Sequence, residues 1–243
     1  MLSRKDIETV LKGTRTKVYL AAVEDELRSS WPAWNEPFPV TLETPKHAVT
    51  FFVSPDYAGI EVEGRRTESE FFRLPATPAV YENILRERGW FLPCPGLVRA
   101  LWPLADHRLV GLSEAERDKL AILRQNDRVN DALLSRGAIS GDRVVGAKKD
   151  VVVGRGNPNA ISGGSVVIYG WDFREKDGEP GLRPKQPLFD RHGASYFDYS
   201  HGCRAVGEAV IVDGKPTLYE VVLRDDALMT DLFGETYTWT RYP

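Results

Sequence analysis

The chain has 243 residues, of which 42% are hydrophobic and 28% charged, and this composition excludes a disordered or collagen-like protein. Its net charge of -3 at pH 7 gives no attraction to nucleic acid or to an anionic membrane, and we expect neither as a partner. No stretch approaches the roughly 18 to 20 consecutive apolar residues that cross a bilayer, so the sequence predicts a soluble globular protein without a membrane span.

The amino end, residues 1–13, lacks the apolar segment of a signal peptide and predicts a cytoplasmic protein. Removal of a leader would change this expectation to an extracellular or periplasmic location. The two cysteines, Cys94 and Cys203, form at most one disulfide and therefore predict a fold that does not depend on disulfides. The sequence leaves open the oligomeric state and the proximity of the two cysteines.

Helices are predicted for the first thirty residues, one ending at Gly13 and one over 17–28, because apolar residues recur there near helical spacing. Residues 31–45 contain four prolines, which lack backbone donors and predict an ordered loop. Two runs of β-branched and aromatic residues, 48–53 and 58–62, follow and predict a pair of strands.

Three further helices are predicted in the middle of the chain. The first begins at Pro78, after the cap residue Thr77, and ends at Gly89. The second covers 96–102. The third is a long helix that ends at Gly137, because apolar residues share one of its faces up to that glycine.

The periodicity becomes β-type after residue 141, where the predicted strands are 151–153, 166–169, 210–212 and 218–223. Asp213 and Gly214 predict the turn between the last two strands. We therefore expect an α+β protein in which a helix-rich region, 1–140, packs on a β-rich region, 141–243, that forms a β-sandwich or a barrel-like sheet.

A polar, glycine-punctuated segment at 190–204 lies between two predicted β regions, where a loop on a rigid scaffold commonly carries a functional site. It contains two of the four histidines, His192 and His201, and one of the two cysteines, Cys203. The sequence therefore predicts that the site of the protein lies in this segment.

The segment contains a His-Gly pair at 192–193 and the run Ser-His-Gly-Cys-Arg at 200–204. These elements resemble the signature of the YkuD-type L,D-transpeptidases, although in that family a further residue usually separates the cysteine from the arginine. The resemblance implies a β-sandwich fold and a cysteine thiolate that attacks the acyl donor of a peptidoglycan stem peptide. It implies that Cys203 is the nucleophile, that His192 is the base, and that His201 is the second histidine of the motif.

The chemistry of a thiol supports this interpretation. A thiol with a pKa near 8.5 is only a few per cent ionised at pH 7, and a nearby imidazolium stabilises the thiolate. Arg204 would add positive charge for the thiolate or for a substrate carboxylate, and the glycines at 193 and 202 would leave amides free for an oxyanion. The residues predicted to contact a substrate are Trp171, Tyr199, Ser200, Gly202 and Arg204.

The chain is also similar over a longer stretch to uncharacterised bacterial proteins. They share elements like Lys-Lys-Asp-Val-Val at 148–152, Tyr-Gly-Trp at 169–171 and Tyr-Ser-His-Gly at 199–202. Some of them have an aliphatic residue at the position of Cys203, which argues against an obligatory thiol nucleophile. The charges at 148–150 could place a cation at the mouth of the site, but a charge cluster before a strand is more typical of a solvated strand end.

Two other classes of protein fit the same residues. His192, Asp198 and His201 supply two imidazoles and a carboxylate, with Asp190 as a fourth ligand or a hydrogen-bond partner, and this is a catalytic-zinc set that activates water. In a non-catalytic binding or structural protein, Cys203 would instead be a buried small hydrophobic residue.

The first prediction for function is an acyl transferase or hydrolase that acts on a peptide-like substrate, such as a peptidoglycan stem peptide, through Cys203 with His192 or His201. This mechanism needs no cofactor. The second prediction is a zinc-dependent hydrolase, and the third is a protein that binds a partner without catalysis.

Overall fold

The computed structural model of the chain describes residues 3–12, 16–30, 37–63, 69–115, 118, 120–153, 165–176, 179–236 and 241–242. Within these ranges, helices combine with a curled antiparallel sheet that resembles half a barrel, and the predicted α+β class is confirmed. In the same ranges, no helix has both the length and the hydrophobicity needed to cross a membrane.

The helices of the described residues are α1 (Arg4–Lys12), α2 (Thr16–Ser30), α3 (Pro78–Glu87), α4 (Pro95–Leu104), α5 (Ala121–Leu134), α6 (Tyr219–Arg224) and α7 (Asp226–Phe233). The prediction for α3 is confirmed. Thr77 has extended backbone angles, Pro78 occupies the first turn where its missing N–H costs nothing, and Gly89 adopts a left-handed φ of 65° just past the end.

The strands are β1 (Phe38–Glu43), β2 (Ala48–Val53), β3 (Gly59–Glu63), β4 (Ser69–Arg73), β5 (Trp90–Phe91), β6 (His107–Arg108), β7 (Val144–Val145), β8 (Lys149–Val151), β9 (Ser165–Lys176), β10 (Glu179–Gly193), β11 (His201–Gly202), β12 (Val206–Gly207), β13 (Ala209–Val212) and β14 (Lys215–Leu218). A six-stranded sheet has the order β14-β13-β2-β12-β5, with β1 also paired to β2. A four-stranded sheet has the order β10-β9-β8-β11.

The central strand of the larger sheet is β2, in which Val49, Phe51 and Val53 are fully buried and alternate with more exposed residues. This period of two is the pattern of a strand with one face on the core. Because β2 pairs with both β1 and β13, this sheet takes strands from both sides of residue 140. The division into regions 1–140 and 141–243 stays a prediction about domains.

The prediction that 48–53 and 58–62 form a pair of strands is wrong in its pairing. Both strands exist, but β2 pairs with β1 and β3 pairs with β4. The link between them does not form a tight turn, because its backbone binds a distant segment: Ser54 N donates to Ala205 O and Ala58 N donates to Cys203 O. The conformation of residues 54–58 is therefore set by hydrogen bonds to residues 203–205, which are distant in sequence.

Two other predictions of local structure are corrected. Residues 38–43, expected to be part of a loop, form β1, which tolerates Pro39 because an edge strand can lack a donor; residues 31–36 lie outside the described part of the chain. The predicted strand 218–223 is instead the end of β14 followed by α6. Tyr219, Val222 and Leu223 are buried at helical spacing, so this run has a helical period.

Candidate functional site

Four residues lie side by side across the four-stranded sheet. His201 on β11 pairs with Lys149 on β8 in parallel orientation. Lys149 pairs on its other side with Gly170 on β9, and Gly170 pairs with Gln186 on β10. Paired residues of neighbouring strands point to the same face of a sheet. The imidazole of His201 and the ammonium of Lys149 therefore belong to one face.

His201 is completely buried, with 0% of its side chain exposed. Among the described residues, neither ring nitrogen has a hydrogen-bond partner, and Nε2 lies 3.9 Å from Asp198 Oδ1. Burial lowers the pKa of His201 to about 4, although the Asp198 carboxylate opposes the shift. The imidazole is therefore neutral at pH 7 and has both a donor and an acceptor nitrogen to offer to a ligand.

Asp198 is the carboxylate nearest to this imidazole. Its Oδ1 accepts hydrogen bonds from the backbone N and the Oγ of Ser200, at 2.8 and 2.5 Å. Burial raises the pKa of Asp198, but the charge of His201 and the Ser200 hydrogen bonds outweigh it and the pKa is lowered overall. Asp198 is thus ionised at pH 7. Ser200, predicted to bind substrate, is itself buried and holds the carboxylate in place.

Tyr196 separates the two histidines of the segment. Its ring stacks on the ring of His192, with centroids 4.0 Å apart, and meets the ring of His201 edge-on at 5.6 Å. Its hydroxyl donates to Asp198 Oδ2 at 3.3 Å. Tyr196 is 36% exposed whereas His201 is sealed, so the tyrosine covers the imidazole from the solvent side.

Two lysine ammonium groups lie close to the indole ring of Trp171 on the β9 side of the site. Lys149 Nζ is 4.7 Å and Lys185 Nζ is 4.6 Å from the centre of its indole ring. The charge of Lys149 also lowers the pKa values of both His201 and Asp198, which places it near them. Trp171 has a φ of 78°, an unfavourable angle for a residue with a side chain, and such strain is concentrated at functional sites.

Cys203 is not part of this arrangement. Its side chain is 0% exposed and packs in the main hydrophobic core. In the described part of the chain, no hydrogen bond joins its Sγ to His192 or His201. Burial raises the pKa of Cys203 well above its ordinary value, and the charges of Asp150 and Glu82 raise it further. The sulfur of Cys203 is therefore buried away from solvent rather than available to an acyl donor. The chain enters the core here, because β11 ends at Gly202 and the Cys203 carbonyl accepts a hydrogen bond from Ala58 N.

Arg204, expected to attract the thiolate or a substrate carboxylate, is also buried, with 1% exposed. Its terminal nitrogens donate at 2.7 to 3.0 Å to three backbone carbonyls, those of Ser54, Pro55 and Val144. Its guanidinium lies 4.4 Å from the centre of the Tyr57 ring. These contacts leave Arg204 no access to a substrate, and its role here is to hold three segments together.

Two further residues predicted to contact substrate have structural roles. A Cβ atom on Gly202 would lie 2.6 Å from the side chains of both Lys148 and Tyr57, so only glycine fits there. Tyr199 is buried; its hydroxyl accepts from Glu114 N, and its carbonyl accepts from Lys148 Nζ.

The charges at 148–150, expected to be a solvated strand end, belong largely to a buried network. Lys148 Nζ donates to Gln125 Oε1 and to Tyr199 O, both at 2.6 Å. Burial lowers the pKa of Lys148 to about 7 and raises the pKa of Asp150 to about 6. Tyr57 donates to Asp150 at 3.3 Å. Lys149 is the residue of this element that pairs with His201 in the sheet.

The zinc hypothesis needs His192, Asp198 and His201 around one point. Within the described ranges, which include all three residues, no three His, Cys, Asp or Glu side chains are placed to hold a metal ion. The ring of Tyr196 separates His192 from His201. A zinc site would require rearrangement of this segment, and the zinc hypothesis stays a prediction.

Comparison of the chain with protein-family models, with curated proteins and with solved structures finds no match. The resemblance to the L,D-transpeptidase signature therefore stays a prediction.

Lys185 and Tyr196 lie beside the candidate site, although the sequence assigned them no role. Lys149 belongs to the charge cluster at 148–150, for which the sequence favoured a solvated strand end over a cation at the mouth of the site. Tyr196 lies within the polar segment 190–204, and this position could have identified it as a candidate site residue. Lys185 has no comparable local signal. Lys149 reaches His201 through the parallel pairing of β8 and β11, and Lys185 reaches Trp171 across a strand pair with several register shifts.

Proposed function

We propose that the protein is a hydrolase or acyl transferase for peptide-like substrates in which His201, and not Cys203, transfers the proton. The observation that supports this proposal is a fully buried, neutral imidazole whose two nitrogens lack partners among the described residues, 3.9 Å from an ionised carboxylate. An unsatisfied buried polar group costs about 1 to 3 kcal/mol, and a bound substrate or water that completes it explains why it is retained.

In this mechanism His201 acts as a general base. A neutral imidazole accepts the proton of a water molecule or of an attacking amine as the new bond to the substrate carbonyl forms. Asp198 then stabilises the imidazolium, as the carboxylate of a catalytic triad does. The same imidazolium returns the proton to the leaving group.

The substrate that suits this site carries an anionic group. Lys149 and Lys185 place two ammonium groups on the indole of Trp171, and Lys149 is also close to His201. A carboxylate, such as the end of a peptide, would bind there while its apolar part packs on the indole. These lysines would bind the substrate carboxylate, which is the role that the sequence analysis assigned to Arg204. A stem peptide as substrate would place the reaction outside the cytoplasm, and a free peptide would place it inside.

Access to His201 depends on Tyr196 and His192. Because the stacked pair covers the buried imidazole, a substrate must displace Tyr196 to reach it. His192 is only half-buried and would then lie at the entrance. This arrangement excludes water from His201 until a substrate is bound.

The test is incubation of the purified protein with disaccharide tetrapeptide muropeptides and with N-acetylated dipeptides, followed by mass spectrometry. Hydrolysis gives two fragments whose summed mass exceeds the substrate by one water, and transfer joins the acyl fragment to an added amine. We expect one of these products, in undiminished yield with EDTA present. Absence of product from every substrate contradicts the proposal. Turnover that EDTA abolishes and zinc restores contradicts it in favour of the zinc hydrolase.

A further inference from the structure

Lys148 is a fully buried lysine directly beside the candidate site. It precedes Lys149, the residue that pairs with His201, and 0% of it is exposed. Its Nζ donates to Gln125 Oε1 and to Tyr199 O, both at 2.6 Å, and both acceptors are uncharged. Burial of an amino group against uncharged partners costs free energy, and lysines are almost never fully buried unless they are paired. The presence of a lysine here therefore points to a task that packing alone does not require.

The side chain of Lys148 spans the last part of the site segment. Its stem packs against Gly202, where a Cβ atom would lie 2.6 Å from Lys148 Cβ, and its amino group reaches back to the carbonyl of Tyr199. The backbone adds a second bond, since Lys149 N donates to Ser200 O at 2.6 Å. The carbonyls of two consecutive residues are thus held, one by a side chain and one by the backbone.

Helix α5 anchors the amino group of Lys148 from the other side. Gln125 of this helix is fully buried, and its Nε2 donates to Ala147 O at 2.8 Å, while its Oε1 accepts from Lys148 Nζ. The Gln125 amide is therefore fixed at both ends. Through it, Lys148 joins α5 to the site segment.

The carbonyl that Lys148 holds lies between the two groups of the proposed proton transfer. Tyr199 follows Asp198 in the chain and precedes Ser200 and His201. The turn that these residues form is short, because Ser200 N donates to Asp198 Oδ1 at 2.8 Å and His201 N donates to Asp198 O at 3.2 Å. A displaced Tyr199 carbonyl would alter both bonds, and with them the 3.9 Å separation between Asp198 Oδ1 and His201 Nε2.

We propose that Lys148 is a positioning residue of the candidate site, whose buried amino group fixes the turn 198–201 through the Tyr199 carbonyl. Without this amino group the carbonyl lacks its donor, so the turn opens more often and the Asp198 carboxylate spends less time beside the imidazole. Lys148 acts only through the segment and does not touch a substrate. Its effect on turnover rests on the proposed function, whereas its effect on the turn does not.

Amide hydrogen exchange in Lys148→Met measures the opening of the turn. Methionine keeps an unbranched apolar stem and removes the N–H donors. We expect the amides of Ser200 and His201 to exchange at least about tenfold faster than in the wild type, relative to the slow amides of β2, because the lost bond acts locally. A merely structural role would accelerate the slow amides of the whole protein together. An unchanged ratio in folded Lys148→Met overturns the proposal.

Two further variants complete the exchange experiment. Tyr219→Phe is the matched control, since it removes a buried hydroxyl that accepts from Cys94 N and packs with Phe51 on the larger sheet. It should leave the ratio of exchange rates unchanged, and an equal rise in this control contradicts the proposal. Gln125→Met keeps the lysine but removes its anchor, and the ratio should rise at least about threefold. If Lys148→Met does not fold, Gln125→Met decides, and an unchanged ratio there overturns the proposal.

Turnover separates this inference from the proposed function. With whichever acyl substrate the wild type converts, Lys148→Met should lower kcat about tenfold and leave KM within about twofold, because the lysine does not contact the substrate. A wild type without turnover contradicts the proposed function and leaves the exchange result to decide on Lys148. Wild-type turnover that folded Lys148→Met retains in full contradicts the positioning role alone.

Discussion

His201 connects the chemistry of the site with the pH dependence of stability. Its folded-state pKa of about 4 lies below the ordinary value of 6.5, so the unfolded chain binds more protons between these pH values. The contribution of His201 to stability is therefore complete above pH 6.5 and is lost as the pH falls toward 4. Asp150, whose pKa is raised from 3.8 to about 6, acts in the opposite direction, because its contribution is lost as the pH rises from 3.8 to 6.

The variant His201→Gln isolates the histidine from this opposing effect. Relative to the variant, the wild type should lose about 3 kcal/mol of unfolding free energy between pH 6.5 and pH 4, because only the wild type buries a group that must be protonated on acidification. Urea unfolding at closely spaced pH values measures the difference. A difference that is flat across this range would mean that His201 titrates normally and is open to water.

At the scale of elements, the junction between β7 and β8 determines where Lys149 lies. Gly146 has a left-handed φ of 82°, and a Cβ there would lie 2.0 Å from Leu109 O and 2.8 Å from Trp171 O. The backbone just before β8 thus lies in direct contact with the backbone at Leu109 and at Trp171. Gly141 has a similar φ of 92°, but a Cβ there would have no described atom within 4 Å.

These two glycines form a matched pair for a prediction. Gly141→Ala should cost about 1 kcal/mol, which is the strain of a left-handed alanine. Gly146→Ala should cost about 3 kcal/mol or more, because a backbone clash is added to the same strain. Chemical denaturation measures both values. Equal losses of stability in the two variants would show that the backbone at Gly146 does not lie in contact with Leu109 and Trp171.

The sequence predicted those helices and strands that are specified by residues close together in the chain. Thr77, Pro78 and Gly89 specify α3 through neighbouring residues, and the prediction succeeded. By contrast, β11 has two residues, and its pairing with Lys149 across 52 positions of chain leaves no short-range pattern. The histidines of the site were found because polar residues cluster in sequence, whereas the burial of Cys203 follows from the bond of its carbonyl to Ala58, which is remote in sequence.

At the scale of the whole molecule, Arg204 connects the candidate site to the rest of the fold. It is the last residue of the site segment, and its guanidinium binds carbonyls of two distant segments at Pro55 and Val144. One buried cation therefore joins the site segment to both of these segments. Asp150, 3.4 Å from Arg204 Nε, supplies the opposite charge.

Arg204→Lys tests this role. A lysine keeps the charge but cannot reach three carbonyls and stack on Tyr57 at once, so unfolding free energy should fall by about 3 kcal/mol or more. Arg136→Lys is the matched control, since Arg136 is exposed and donates to a single carbonyl, that of Arg108. Its loss should stay below about 1 kcal/mol. Similar values for the two variants would contradict the view that Arg204 organises the fold.

The most direct test of the central claim compares Cys203→Ala with His201→Gln in the same assay, by turnover of whichever acyl substrate the wild type converts. Cys203→Ala should keep at least about one third of the turnover, because it changes only packing. His201→Gln should lose on the order of 100-fold or more, while His47→Gln, a surface control, should lose nothing. The reverse result, in which Cys203→Ala is folded but inactive and His201→Gln remains active, would contradict the account.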